Sequence, residues 1–181
     1  TIEWDAEAAE KAGYEHFMMK EIHEQPRAVK DTLNSVLKDG KIDLTDIGLA
    51  EEDIRRTSQI YIVACGSAYH VGMVAQYVIE DLVKIPVRVE LASEFRYRKP
   101  ILDPNGLVII ISQSGETADS LAALRESKKQ GVKTLGIVNV IGSSIAREAD
   151  NVYYTLAGPE IAVATTKAYS TQLIAAYTLA I

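Results

Sequence analysis

The stretch Leu107–Thr117, reading L-V-I-I-I-S-Q-S-G-E-T, constrains the fold more than any other. Its five leading apolar residues, four of them β-branched, describe a strand buried on both faces, as the central strand of a parallel sheet is. The character then changes abruptly. Ser112, Gln113 and Ser114 supply hydroxyl and amide groups, Gly115 permits backbone shapes other residues resist, and Glu116-Thr117 opens a helical pattern running to about Gln130. A strand that breaks into a short polar loop and feeds a helix aims backbone N–H groups and the positive helix end at one point, where an anion such as phosphate fits. The competing reading is a plain helix cap, worth about 1 kcal/mol and needing one hydroxyl. Three hydroxyls within six residues, with a Gln and a Gly, favour a ligand-binding loop.

The same grammar occurs earlier. Ile60–Ala64 is a strand, Cys65-Gly66-Ser67 a small polar turn, and Tyr69–Val83 a helix. Val87–Leu91, Thr134–Val138 and Val152–Leu156 add three strands, giving five that alternate with helices. This predicts an α/β protein, a three-layer α/β/α sandwich on a five-stranded parallel sheet, preceded by N-terminal helices. In the flavodoxin-like strand order 2-1-3-4-5 the first and third strands are neighbours and ligands bind at their carboxyl ends. The two polar turns follow those two strands, which favours this order. No G-x-G-x-x-G follows any strand, so no dinucleotide or other cofactor is expected.

Upstream, Thr1–Ala12 reads as a polar, acidic linker arm. Phe17, Met18 and Ile22 begin a helix that Pro26 is expected to stop or restart, with a second helix through Leu37 ending near Gly40. Gly40–Ser58 reads as a polar connection, giving a division into 1–58, arm and helices, and 59–181, the ligand-binding domain. His16, Glu21, His23 and Glu24 do not have the spacing of a metal site and are expected to be solvated or interfacial. Thr165-Thr166 is expected to cap a last helix rich in Ala, Leu and Tyr, which runs to Ile181 without a stop signal; a fragment of a longer protein is the expectation.

Composition excludes several classes. A net charge of −6 without Lys/Arg clusters speaks against nucleic acid, though not against phosphate held by neutral donors. No apolar run approaches a membrane span, and the single Cys65 suits a reducing cytoplasm. Cys65 has no His placed to activate it and is expected to be a small buried thiol.

Four segments carry a family resemblance: Cys65–Tyr69 (C-G-S-A-Y), Ala92–Arg98 (A-S-E-F-R-Y-R), Ser112–Asp119 (S-Q-S-G-E-T-A-D) and Gly158–Tyr169. With Tyr14–Pro26 (Y-E-H-F-M-M-K-E-I-H-E-Q-P) they resemble the first sugar isomerase (SIS) subdomain of the glutamine–fructose-6-phosphate aminotransferases, the glucosamine-6-phosphate synthases. The resemblance implies an SIS fold and an enzyme that moves ammonia from glutamine to fructose 6-phosphate and isomerises the product to glucosamine 6-phosphate. It further implies that Ser112, Gln113, Ser114 and Thr117 cradle the phosphate, with Ser67 on the facing turn and Val163 and Thr165 near the sugar. In that family the acid/base Glu, the ring-opening His and the Lys residues lie in a second SIS subdomain and the glutaminase Cys lies upstream, so this chain is expected to hold no catalytic residue and to turn over nothing alone. Family members associate as homodimers, which would leave the last helix and Phe17-Met18-Met19 uncovered here. Two departures stand out: Ser67-Ala68 replaces a common Thr-Ser, and Thr165 replaces a common Ser. A sugar-phosphate-sensing SIS module of a regulator is the alternative. A flavodoxin-like electron carrier is disfavoured, because its phosphate loop follows the first strand and the turns here lack aromatics to sandwich a flavin.

Overall fold

A computed structural model of the chain describes residues 10–181. Most of the expected linker arm, including Trp4, lies outside them. The chain opens with α1 (Phe17–Asn34), a hairpin of β1 (Leu37–Lys38) and β2 (Lys41–Ile42), and a short α2 (Glu51–Arg56). The sheet and its helices follow: β3 (Gln59–Ala64), α3 (Gly66–Val83), β4 (Val87–Leu91), α4 (Ala92–Arg98) and β5 (Gly106–Ser112). Then come α5 (Ala118–Lys129), β6 (Lys133–Val138), α6 (Ser144–Glu148), β7 (Asn151–Tyr154) and α7 (Lys167–Leu179).

The five long strands are parallel and ordered β4-β3-β5-β6-β7. Counted along the chain that is 2-1-3-4-5, the flavodoxin-like order expected from the placement of the polar turns. Side-chain alternation builds the two cores. Ile60, Ile62, Ile109 and Ile111 face the layer of α3 and α7, while Tyr61, Val63, Val108 and Ile110 face α4, α5 and α6. Residues 108 to 111 are at most 2% exposed. Burying a Val or Ile side chain stabilises by about 1.5–3 kcal/mol relative to leaving it in water, which is why an uninterrupted apolar run occupies the middle of the sheet.

Three expectations are corrected. Pro26 neither stops nor restarts a helix: α1 is continuous through it. Proline removes the N–H that would bond to the Ile22 carbonyl, and the Gln25 side chain donates to that carbonyl instead, at 3.2 Å. Gly40–Ser58 is more than a polar connection, because Ile47 and Leu49 are buried in the core and α2 forms within it. The last helix is not left uncovered. It packs between α1 and α3, which bury Ala168, Thr171, Gln172, Ala175 and Ala176. Met18 and Met19 of α1 do remain exposed.

Candidate functional site

β3 and β5 pair in register up to Ala64 opposite Ile111, so both polar turns begin one step further on, side by side. From this point the chain passes to β4 on one side and to β6 on the other, making it the topological switch point where open α/β sheets bind ligands.

The loop after β5 is shaped by its own polar groups. The buried Ser112 accepts the Gly115 N–H on its Oγ at 3.1 Å, and the same oxygen lies 3.1 Å from Thr117 Oγ1. Ser114 Oγ accepts the Glu116 N–H at 3.2 Å. Gly115 has a φ of 67°, and a Cβ there would sit 2.0 Å from Ser143 Oγ, so the glycine is required by both conformation and space. Its carbonyl accepts the Ile145 N–H at 3.0 Å, and Glu116 Oε1 accepts the Ser144 N–H at 2.7 Å, fastening the loop to the start of α6. Hydrogen bonds from Ser144, side chain and backbone, hold the Glu116 carboxyl below its ordinary range.

Thr117 occupies the N-cap position of α5 and makes no side-chain capping bond; its hydroxyl is turned to Ser112. Cys65 stands at the N-cap of α3 and makes none either. Two helices of 18 and 12 residues thus present uncapped amino ends at adjacent strand ends. The Ser120 hydroxyl lies 4.0 Å from Cys65 Sγ, which brings the first turns of the two helices together. Cys65 itself is half-buried rather than buried, because it sits at the lip of this cleft. His70 is exposed and stacks edge-on against Tyr69, away from any partnership with it. Ser67 lies in the first turn of α3 and is exposed.

Ser112, Gln113, Ser114 and Thr117 therefore share one loop, with Ser67 on the facing turn. Val163 and Thr165 lie on a separate segment, the 155–166 connection into α7. Val163 is fully exposed at its tip, and Thr165 donates its hydroxyl to Glu160 Oε2 at 2.9 Å. Asn139, just past β6, links the two segments. Its N–H goes to the Gln113 carbonyl at 3.0 Å, its Nδ2 to the Gly158 carbonyl at 2.7 Å, and its Oδ1 accepts the Ala157 N–H at 3.0 Å. Sequence reasoning passed over Asn139, although an Asn directly after a buried strand end is a recognisable signal for such a bracket.

Two further corrections concern the amino end of α7. Thr166 at its N-cap makes no capping bond, and its Oγ1 is buried without a partner. The cap is Glu160, whose Oε1 accepts the Thr166 and Ala168 N–H groups at 2.9 and 3.2 Å. Glu21, expected to be solvated or interfacial, is 2% exposed and accepts backbone N–H groups from Ile161 and Ala162. Among the described residues no group of three or more His, Cys, Asp or Glu could hold a metal ion. A cavity of about 490 Å³ opens at the opposite end of the sheet near Ile60, Leu107 and Lys133, and none of its lining residues belongs to these loops.

The SIS domain family matches residues 53–181. The chain is 60% identical over 181 residues to the glutamine–fructose-6-phosphate aminotransferase [isomerizing] of Clostridium tetani, covering 99% of this chain and 30% of that protein. It is 61% identical over 179 residues to the namesake from Clostridium acetobutylicum, covering 98% and 29%. It spans about 30% of the length of these curated relatives. Among solved structures, the C-terminal domain of glucosamine-fructose-6-phosphate aminotransferase from Francisella tularensis superposes with a TM-score of 0.90 at 50% identity, over 94% of this chain and 48% of that one. The sugar isomerase domain of an RpiR transcription factor from Sphaerobacter thermophilus shares the fold, with a TM-score of 0.68 at 20% identity over 90% of this chain and 87% of that one. The chain belongs to the SIS domain family.

Proposed function

We propose that the chain is the sugar-phosphate-binding part of an isomerising glutamine–fructose-6-phosphate aminotransferase, and that residues 112–117 with Ser67 hold the phosphate of a hexose 6-phosphate. The observation that carries this is the pair of uncapped helix amino ends at adjacent strand termini, one fronted by a hydroxyl-rich loop. A phosphate satisfies the open N–H groups and lies at the positive end of both helix dipoles. The internal bonds set the direction of the donors. If Ser112 Oγ, already accepting the Gly115 N–H, gives its own proton to Thr117, the Thr117 proton is left to donate outward. Neutral donors of this kind explain how an acidic chain binds an anion.

Residues 59–181 form the sugar-phosphate domain and 1–58 lead into it. In the whole protein the sugar is fructose 6-phosphate, the product glucosamine 6-phosphate, and the work belongs to amino-sugar synthesis in the cytoplasm. Val163 and Thr165 approach the sugar. The groups that shift protons between sugar carbons, and the glutaminase that frees ammonia, belong to other parts of the protein, whose isomerase halves pair as homodimers. This chain alone binds without turnover.

Titration calorimetry with fructose 6-phosphate or glucosamine 6-phosphate tests the assignment. Ser114→Ala and Thr117→Ala should each weaken binding at least about tenfold, since one hydrogen bond to a charged group is worth about 1.5–3 kcal/mol. Binding unchanged by both substitutions refutes the cradle, and detectable product formation from glutamine and fructose 6-phosphate refutes the claim of no turnover.

A further inference from the structure

The family match begins at residue 53, yet helix α1, wholly outside it, uses four side chains to touch the segment between β7 and α7 and the first turn of α7. Thr32 Oγ1 accepts the Leu156 N–H at 3.2 Å. Glu21 Oε1 accepts the Ile161 and Ala162 N–H groups at 2.6 and 3.2 Å. Glu24 pairs with Lys167 at 2.6 Å, and Gln25 accepts the Ser170 hydroxyl proton at 2.6 Å. Lys167 is 3% exposed and Glu21 2%, so these are interior contacts, not a surface zipper.

Glu21 is the unusual member. A carboxylate withdrawn from water is tolerated only where hydrogen bonds replace its hydration. One oxygen of Glu21 receives two backbone N–H groups, while Oε2 has no partner. What this carboxylate does secure is the irregular backbone at residues 161 and 162, which belongs to no strand or helix that could satisfy its N–H groups. On the far side of the turn, Glu160 takes the Thr165 hydroxyl and the Thr166 N–H. Val163 and Ala164 are therefore suspended between two carboxylate anchors, with Val163 fully exposed.

We propose that Glu21 is a positioning residue for hexose binding: from outside the family domain it fixes the shape of the 158–166 turn that presents Val163 and Thr165 to the sugar, without contacting the phosphate. The sugar-facing part rests on the function proposed above; the holding of the turn does not. The α1 seam also connects that turn to the chain before the helix, because Lys20 donates to the Glu10 carbonyl at 2.5 Å and pairs with Glu24, the partner of Lys167.

The test uses Glu21→Met, which keeps the bulk and removes the acceptor, and Glu21→Gln, which keeps one acceptor oxygen. Amide hydrogen exchange reports the turn directly, since local opening is read residue by residue. In the Met variant, exchange at Ile161 and Ala162 should quicken at least about tenfold while Ile109–Ile111 stay as in the wild type. Affinity for fructose 6-phosphate should fall about tenfold while affinity for inorganic phosphate stays within about twofold, and the Gln variant should recover most of both losses. Should the Met variant not fold, Glu21→Asp, which retracts the acceptor by one methylene, must show the same pattern. Unchanged exchange at Ile161 and Ala162 overturns the proposal, and so does a parallel loss of both ligands, which would make Glu21 a support of the whole domain. A wild type that binds neither ligand defeats the phosphate cradle instead, and the exchange result alone then decides whether Glu21 holds the turn.

Discussion

Replacing Gly115 by Ala tests how tightly the loop after β5 is seated. Two costs add. The residue has a φ of 67°, and a left-handed conformation costs an ordinary L-residue about 1–2 kcal/mol. The new Cβ would also stand 2.0 Å from Ser143 Oγ and 2.6 Å from Ser143 Cβ. Ser143 is only 2% exposed and caps α6 through the Ala146 N–H, so it cannot swing aside freely. Overpacking of this kind costs about 1–3 kcal/mol. The sum, about 2–5 kcal/mol, is a large share of the 5–15 kcal/mol that stabilises a typical domain. With a slope of about 2–3 kcal/mol per molar for a chain this size, the urea midpoint should fall by about 1–2 M. A double-mutant cycle separates the two costs. Ser143→Gly removes both clashing atoms, and glycine at an N-cap loses only about a few tenths of a kcal/mol. The Gly115→Ala/Ser143→Gly chain should therefore regain about 1–3 kcal/mol over Gly115→Ala, leaving the backbone cost alone. A Gly115→Ala midpoint equal to wild type, or a double variant no better than the single, would refute the seating of this loop on Ser143.

Glu160→Ala removes the cap of α7 together with the bond to Thr165, and should lower stability by about 1–3 kcal/mol, seen as a drop in thermal midpoint of several degrees; an unchanged midpoint would return the capping role to Thr166. Acid should destabilise the chain. Asp150 is pushed up by burial but held below the ordinary 3.8 by hydrogen bonds from Lys128 and Thr134, and Glu116 and Glu148 lie below the ordinary 4.5 through bonds from Ser144 and Arg125. Groups depressed in the folded state stabilise it above their unfolded values and lose that contribution as pH falls, so the urea midpoint should be level from about pH 7 to 5.5 and decline below about 4.5. A midpoint that stays level down to about pH 3 would contradict these assignments.

What was legible in the sequence followed from short-range rules. A β-branched apolar run has one comfortable place, buried on both faces, and Leu107–Ile111 takes it in β5. The strand order could be read because a functional pair of turns needs neighbouring strands, and only one common order makes the strands before Cys65 and Ser112 adjacent. The strand ends drifted: the last strand is Asn151–Tyr154, two residues short of the expected end, because the Ala157 N–H, next in line for the ladder after Thr155, goes to the Asn139 side chain instead. Pro26 misled because its local veto on helix was overridden by the adjacent Gln25 side chain and by packing on α7, the second of which no local pattern shows. Glu160 displaced Thr166 as cap because a carboxylate accepts two N–H groups at once, which no hydroxyl at the N-cap position matches. Glu21 looked like one more charge on a polar helix; its partners stand 140 and 141 residues away, where no local pattern reaches.

That separation also sets an order of assembly. α1 is synthesised well before its partner segment, and every strand of the parallel sheet lies between them. Closing so long a loop costs only about 0.6 kcal/mol more than closing one half its length, so the seam is thermodynamically inexpensive. Kinetically it is slow, because contacts between distant residues wait until the chain between them has been organised. The hydrogen bonds that tie Leu156, Ile161 and Ala162 to α1 form only when the first helix meets that segment, so a nascent or partly unfolded molecule can possess a complete sheet and a formed 112–117 loop before the turn bearing Val163 is tied down.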